Sequence, residues 1–156
     1  MIKKFLYIVS FCLLTQVSFG ASDSSSSSTE ADLYKKAEKI LNSAKKFEKN
    51  GKTKKAINLY NNAYKKLVTA NNEDKNNPDI LNYLGFSLRK MGKYDEAEKF
   101  YLSGLKIKPD HNGINEYLGE LYVKTQRMDL AKERLAVLKN CNCEEYSELE
   151  EAIKNN

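Results

Sequence analysis

The chain has no tryptophan, one histidine, two prolines, three cysteines and three arginines in 156 residues, and each shortage excludes something. Three cysteines cannot staple a disulfide-scaffold domain, the more so as Cys12 lies in a segment expected to be removed. Two prolines and seven glycines rule out collagen-like and proline-rich architectures. The single histidine leaves His111 as the one neutral-pH acid or base. No nucleophile or carboxylate pair of recognisable spacing accompanies it, and Gly-rich phosphate-cradling motifs are missing, so the chain reads as no enzyme and as needing no cofactor or small-molecule substrate. All cations other than Arg89, Arg127 and Arg134 are lysine, whereas base readout leans on arginine, which argues against a nucleic-acid partner. A charged fraction of 30% is too high for a membrane-embedded bundle.

What is present divides the chain. Lys3 and Lys4 precede an apolar run from Phe5 to Leu14 broken only by Ser10, and Ser18 and Gly20 stand like a small-x-small cleavage site. Residues 1–20 therefore read as a secretory signal peptide cut after Gly20. The run is shorter than the roughly 20 apolar residues of a spanning helix, and Cys12 follows Phe11 rather than the small residues of a lipoprotein signal. Residues 21–31, centred on the run Ser24–Ser28, have almost no apolar side chains to offset the entropy of ordering and read as a flexible tether. Export, together with Lys- and Asn-rich usage suggesting AT-rich coding, points to a bacterial periplasm.

From Ala31 onward apolar residues recur at helical spacing, and the sequence matches itself at an offset of 34. Leu84–Gly85 returns as Leu118–Gly119, Leu88 as Tyr122, Tyr94 as Met128, Ala97 as Ala131, Tyr101 as Leu135 and Gly104 as Leu138. Each period encodes a helix hairpin. Leu81, Leu84 and Leu88 line one helix, Ala97, Tyr101 and Gly104 line its mate, and Gly92 lies in the turn between them.

Leu81, Leu84, Gly85, Leu88, Gly92, Tyr94, Ala97, Tyr101, Gly104 and Pro109 together resemble the tetratricopeptide repeat family. Residues 112–143 follow the pattern with Asn115, Leu118, Gly119, Tyr122, Ala131, Leu135 and Leu138; Cys143 takes the terminal proline's place. Residues 32–77 follow it more loosely through Ile40, Ala44, Phe47, Gly51, Ala56, Tyr60 and Ala63, with Asn71–Asn77 as a polar insertion that lengthens a loop or a helix end. Residues 78–111 form the second repeat, and 144–156 a polar-faced capping helix with Tyr146, Leu149 and Ile153 at helical spacing. The resemblance implies an all-α, right-handed superhelical solenoid of three hairpins plus that cap.

The same resemblance implies a concave groove lined by the first helix of each hairpin. In the family register its residues are Leu41, Lys45 and Glu48, then Asn82, Phe86 and Arg89, then Glu116, Glu120 and Val123. Lys45, Asn82, Phe86, Arg89, Glu116 and Glu120 are the partner-binding candidates. Phe86 lies off the Leu81–Leu84–Leu88 stripe, so it is either an exposed anchor for a partner or an edge-of-core residue. Family members that clamp a chaperone's C-terminal carboxylate use Lys, Asn and Arg where this chain has Leu41, Lys45, Tyr83, Gly113 and Tyr117, and a lone Lys45 cannot reproduce that clamp.

Cys141 and Cys143 leave three readings open: two packing thiols, a strained or intermolecular disulfide, or a redox or metal pair that lacks further ligands nearby. Charge is polarised, with twelve lysines against five acids in residues 31–76 and one lysine against five glutamates in residues 141–156. The sequence thus suggests a non-catalytic periplasmic module that holds a peptide segment or helix of another envelope protein. The alternatives are a self-associating structural module and a thiol-redox accessory.

Overall fold

Two sets of turn and cap residues divide the chain into helices. The computed structural model describes residues 29–156; the leader and the tether as far as residue 28 lie outside the described residues. Among the described residues there are seven helices and no strand: α1 (Glu30–Lys49), α2 (Thr53–Glu73), α3 (Pro78–Lys90), α4 (Tyr94–Ile107), α5 (Asn112–Lys124), α6 (Met128–Leu138) and α7 (Glu144–Lys154). The Thr29 hydroxyl accepts from the Asp32 amide, so Glu30 and Ala31, assigned above to the tether, belong to α1. The Asn77 side chain caps α3 by accepting from the Asp79 and Ile80 amides, with Pro78 in the first turn, where a missing N–H is harmless. Residues 71–73 of the polar insertion extend α2, and the remainder forms the loop to α3.

Each hairpin turns in the same way. The Gly51 and Gly92 amides bond to Glu48 and Arg89 carbonyls, the next amides reach back to Phe47 and Leu88, and both glycines adopt positive φ. The third turn repeats these bonds from Gln126 and Arg127 to Val123 and Tyr122, but with Gln126 at φ 60°. Here a side chain occupies the left-handed conformation that glycine adopts without steric penalty.

The hairpins α1–α2, α3–α4 and α5–α6 stack in order, and α7 packs on α5 and α6. Close approach explains the small residues. A Cβ on Gly85 would fall 2.5 Å from the Tyr101 ring, so α3 and α4 cross at the distance only glycine allows. At the equivalent Gly119 the neighbour is Leu149 of α7, again 2.5 Å from an ideal Cβ. Leu135, which stands where the second repeat has Tyr101, is only partly buried, whereas Leu149 is fully buried. The capping helix thus supplies the apolar group over Gly119, replacing water against that apolar surface.

Candidate functional site

Helical spacing gathers four parallel sets of side chains on one face of the stack. Lys45, Glu48 and Lys49 come from α1, Phe86, Arg89 and Lys90 from α3, Glu116, Tyr117 and Glu120 from α5, and Glu148, Glu151, Ala152 and Asn155 from α7. All follow the three- and four-residue steps that keep side chains on one helical face. Together they line a groove of about 610 Å³. Past Arg89 and Glu120 lies a second hollow of about 440 Å³ bordered by Tyr94, Val123 and Lys124.

The groove floor is aromatic and roofed by cations. The Phe86 ring is 4.8 Å from that of Tyr117 and meets Tyr60 edge-on at 5.8 Å. Lys45 Nζ lies 4.8 Å from the Phe86 centroid and donates to Tyr117 Oη at 3.4 Å, while the Arg89 guanidinium sits 5.3 Å from the Tyr117 ring. Such cation–ring contacts are worth about 0.5–2 kcal/mol each, depending on desolvation. Burial pushes the Tyr117 phenol up, so it stays protonated and able to donate.

Two ion pairs organise the centre. Arg89 Nη2 meets Glu120 Oε2 at 2.5 Å, and Lys90 Nζ meets Glu48 Oε2 at 2.9 Å. The Tyr60 hydroxyl also donates to Glu48 at 2.7 Å. Burial disfavours the Glu48 charge, but the bonds from Lys90 and Tyr60 outweigh it and hold this carboxyl below the usual range. Burial likewise opposes the charge of Arg89, and Tyr101 and Glu120 reverse the balance, raising it.

Glu116 behaves oppositely. It is 3% exposed, and burial, with the neighbouring Glu148 and Glu120 carboxyls, pushes it up to about 10 despite Arg89. At neutral pH it is protonated and shares that proton with Glu148 across the α5–α7 seam.

Five of the six partner-binding candidates line this groove: Lys45, Phe86, Arg89, Glu116 and Glu120. Asn82 does not. It is buried between α3 and the start of α5, with its Nδ2 against Gly113, and its Oδ1 has no hydrogen-bond partner. Phe86, at 2% exposure, is the edge-of-core residue and not an exposed anchor, because Lys45, Arg89 and Lys90 cover its ring. Leu41 belongs to the core as well. At the other clamp positions Tyr83 stacks on Tyr34 at 5.5 Å and Tyr117 floors the groove, so no set of convergent donors stands there. Sequence reasoning missed Lys90 and the α7 wall. The spacing of Glu148, Glu151 and Asn155 is a visible signal, but by itself it marks only the polar face of a capping helix.

The remaining chemical residues meet elsewhere. His111 caps α5: its Nδ1 accepts from the Ile114 amide at 3.2 Å, so the ring proton sits on Nε2 and is donated to Asp79 Oδ1 at 3.0 Å. Both nitrogens are thus engaged in joining the starts of α3 and α5. Cys141 and Cys143 are joined as a disulfide across Asn142, which replaces the reading of two free packing thiols. Cys141 and His111 border a hollow of about 630 Å³ with Lys108 and Glu145. Among the described residues no group of three or more His, Cys, Asp or Glu side chains is placed to hold a metal. Among the same residues no helix is long and apolar enough to cross a membrane.

Stacked antiparallel hairpins with a groove along their first helices define an α-solenoid of helical repeats. Residues 78–111 match the tetratricopeptide repeat family, and the described chain shares the fold of solved tetratricopeptide-repeat domains. Similar solved structures include SycD, the type III secretion translocator chaperone of Yersinia enterocolitica, with TM-score 0.56 and 19% identity over 81% of this chain and 88% of that one. SycD in complex with a peptide of the translocator YopD gives 0.53 and 20% over 78% and 88%. The first such domain of Spaghetti (RPAP3), bound to the HSP90 peptide SRMEEVD, gives 0.51 and 20% over 78% and 94%. Comparison with curated proteins finds no match.

Proposed function

We propose that this chain is a non-catalytic binding module, exported to the bacterial periplasm, that takes a peptide segment or helix of another envelope protein in its groove. The observation that carries this reading is the 610 Å³ groove itself, walled by one face of each of α1, α3, α5 and α7. Two neighbours of the same fold are peptide complexes, which supports an occupant of that kind. The absence of clamp donors at Leu41, Tyr83, Gly113 and Tyr117 argues for an occupant other than a chaperone tail. The leader-like residues 1–20 support export. A thiol-redox role would need a base near Cys141, and the nearby His111 has both nitrogens engaged.

Site-specific photo-crosslinking in cells tests the proposal. A photoreactive residue at Lys49, in the groove, should give discrete adducts with an envelope protein, and one at the exposed Lys132 on α6 should not. The crosslinked protein should begin at Ala21. Equal labelling from both positions would refute the groove as the binding site, and Met1 on the mature chain would refute export.

A further inference from the structure

Charge in the groove is sorted by helix. The central pair, Arg89 and Glu120, neutralise each other, as do Lys90 and Glu48. Among the described residues Lys45 and Lys49 of α1 form no ion pair, and neither do Glu148 and Glu151 of α7. All four are exposed. Two ammonium groups without a counter-charge therefore stand at one end of the groove, Lys45 donating only to the Tyr117 hydroxyl, and two carboxyls without a cation at the other, Glu148 engaged only by the Glu116 proton, with the Phe86–Tyr117 floor between them. The helices follow one another along the stack, so a segment laid along the groove passes from positive to negative surroundings.

Resting on the peptide-groove reading, we propose that the occupant is a bipolar segment of a partner protein. It places carboxylates over α1, an apolar or aromatic residue over the Phe86–Tyr117 floor, and Lys or Arg against α7. The whole chain's charge of +5 would favour a uniformly acidic ligand, but such a ligand meets Glu148 and Glu151 at the far end. A uniformly basic one meets Lys45 and Lys49. Like charges brought together reject both, while opposite charges at both ends fix the register of the bipolar segment.

The test uses fluorescent synthetic peptides of equal length around one central Phe: bipolar, the same composition with charges interleaved, all-acidic, and all-Lys. Fluorescence anisotropy at low salt should rank the bipolar peptide about tenfold tighter than the interleaved one, the sum of a few exposed ion pairs. Lys45→Glu with Lys49→Glu should transfer preference to the all-Lys peptide, and Glu148→Lys with Glu151→Lys to the all-acidic one. Circular dichroism should show each variant folded, and Glu151→Lys alone, which leaves the Glu116–Glu148 contact in place, should shift preference in the same direction. Equal affinity for the bipolar and interleaved peptides, or variants that leave the ranking unchanged, would overturn the bipolar assignment. If Lys49 still crosslinks to a partner in cells, only this inference fails; if it does not, the groove reading fails too. Concentration-dependent self-association of the chain with no peptide bound would assign the groove to a second copy and overturn the proposal.

Discussion

Glu116 keeps its proton at neutral pH because its carboxyl is buried next to two others, and this sets a stability slope. A carboxyl whose folded value lies above its unfolded value of 4.5 contributes most below that value, and its contribution fades as pH rises toward about 10. Glutamine offers the same shape and a permanent N–H donor without needing a proton. Glu116→Gln should therefore match the parent near pH 4.5 and gain on it at higher pH, by at most about 1.4 kcal/mol per pH unit. Thermal unfolding at pH 5, 7 and 9 reads this directly, and parallel melting curves across the series would show that Glu116 is ionised. Residues of this kind were only half legible in the sequence. The register put Glu116 on the groove face, but nothing in a linear pattern showed that Glu148, on α7, would lie beside it. Asn82 failed for a related reason: its helical position points at the start of α5, and only packing shows that Gly113 leaves room for it.

The hairpin turns show the same rule at the scale of elements. The offset of 34 made the second and third repeats legible, since glycine and alanine recur where helices cross and apolar residues recur where they pack. The third turn departs from that pattern, with Gln126 at φ 60° in the place of Gly92. Left-handed backbone costs a side-chain-bearing residue about 1 kcal/mol, so Gln126→Gly should raise stability by roughly 0.5–1 kcal/mol. The increase should appear in the denaturation midpoint with an unchanged slope; a loss would show that the Gln126 side chain makes a stabilising contact of its own. The role of α7 was less legible. Its apolar spacing announced a cap, but that its polar face completes the groove wall depends on the angle at which it crosses α5, which Leu149 sets by seating on Gly119.

For the whole molecule, the joint at Gly119 is where α7 covers the third hairpin. Tetratricopeptide hairpins bury their faces against the next hairpin, so an open terminal face invites another unit. Leu149→Ala would remove the buried side chain over Gly119, and truncations of this kind cost about 2–5 kcal/mol. Lower thermal stability is expected, together with concentration-dependent sedimentation as the uncovered face of α5 and α6 seeks a substitute. A monomer of parental stability would mean that α7 is dispensable. The native arrangement has a consequence for assembly. With the face of α5 and α6 already covered from within, a second molecule stacking hairpin on hairpin there would first have to displace α7. One leucine in one glycine notch locks α7 onto the third hairpin, as a keystone locks an arch.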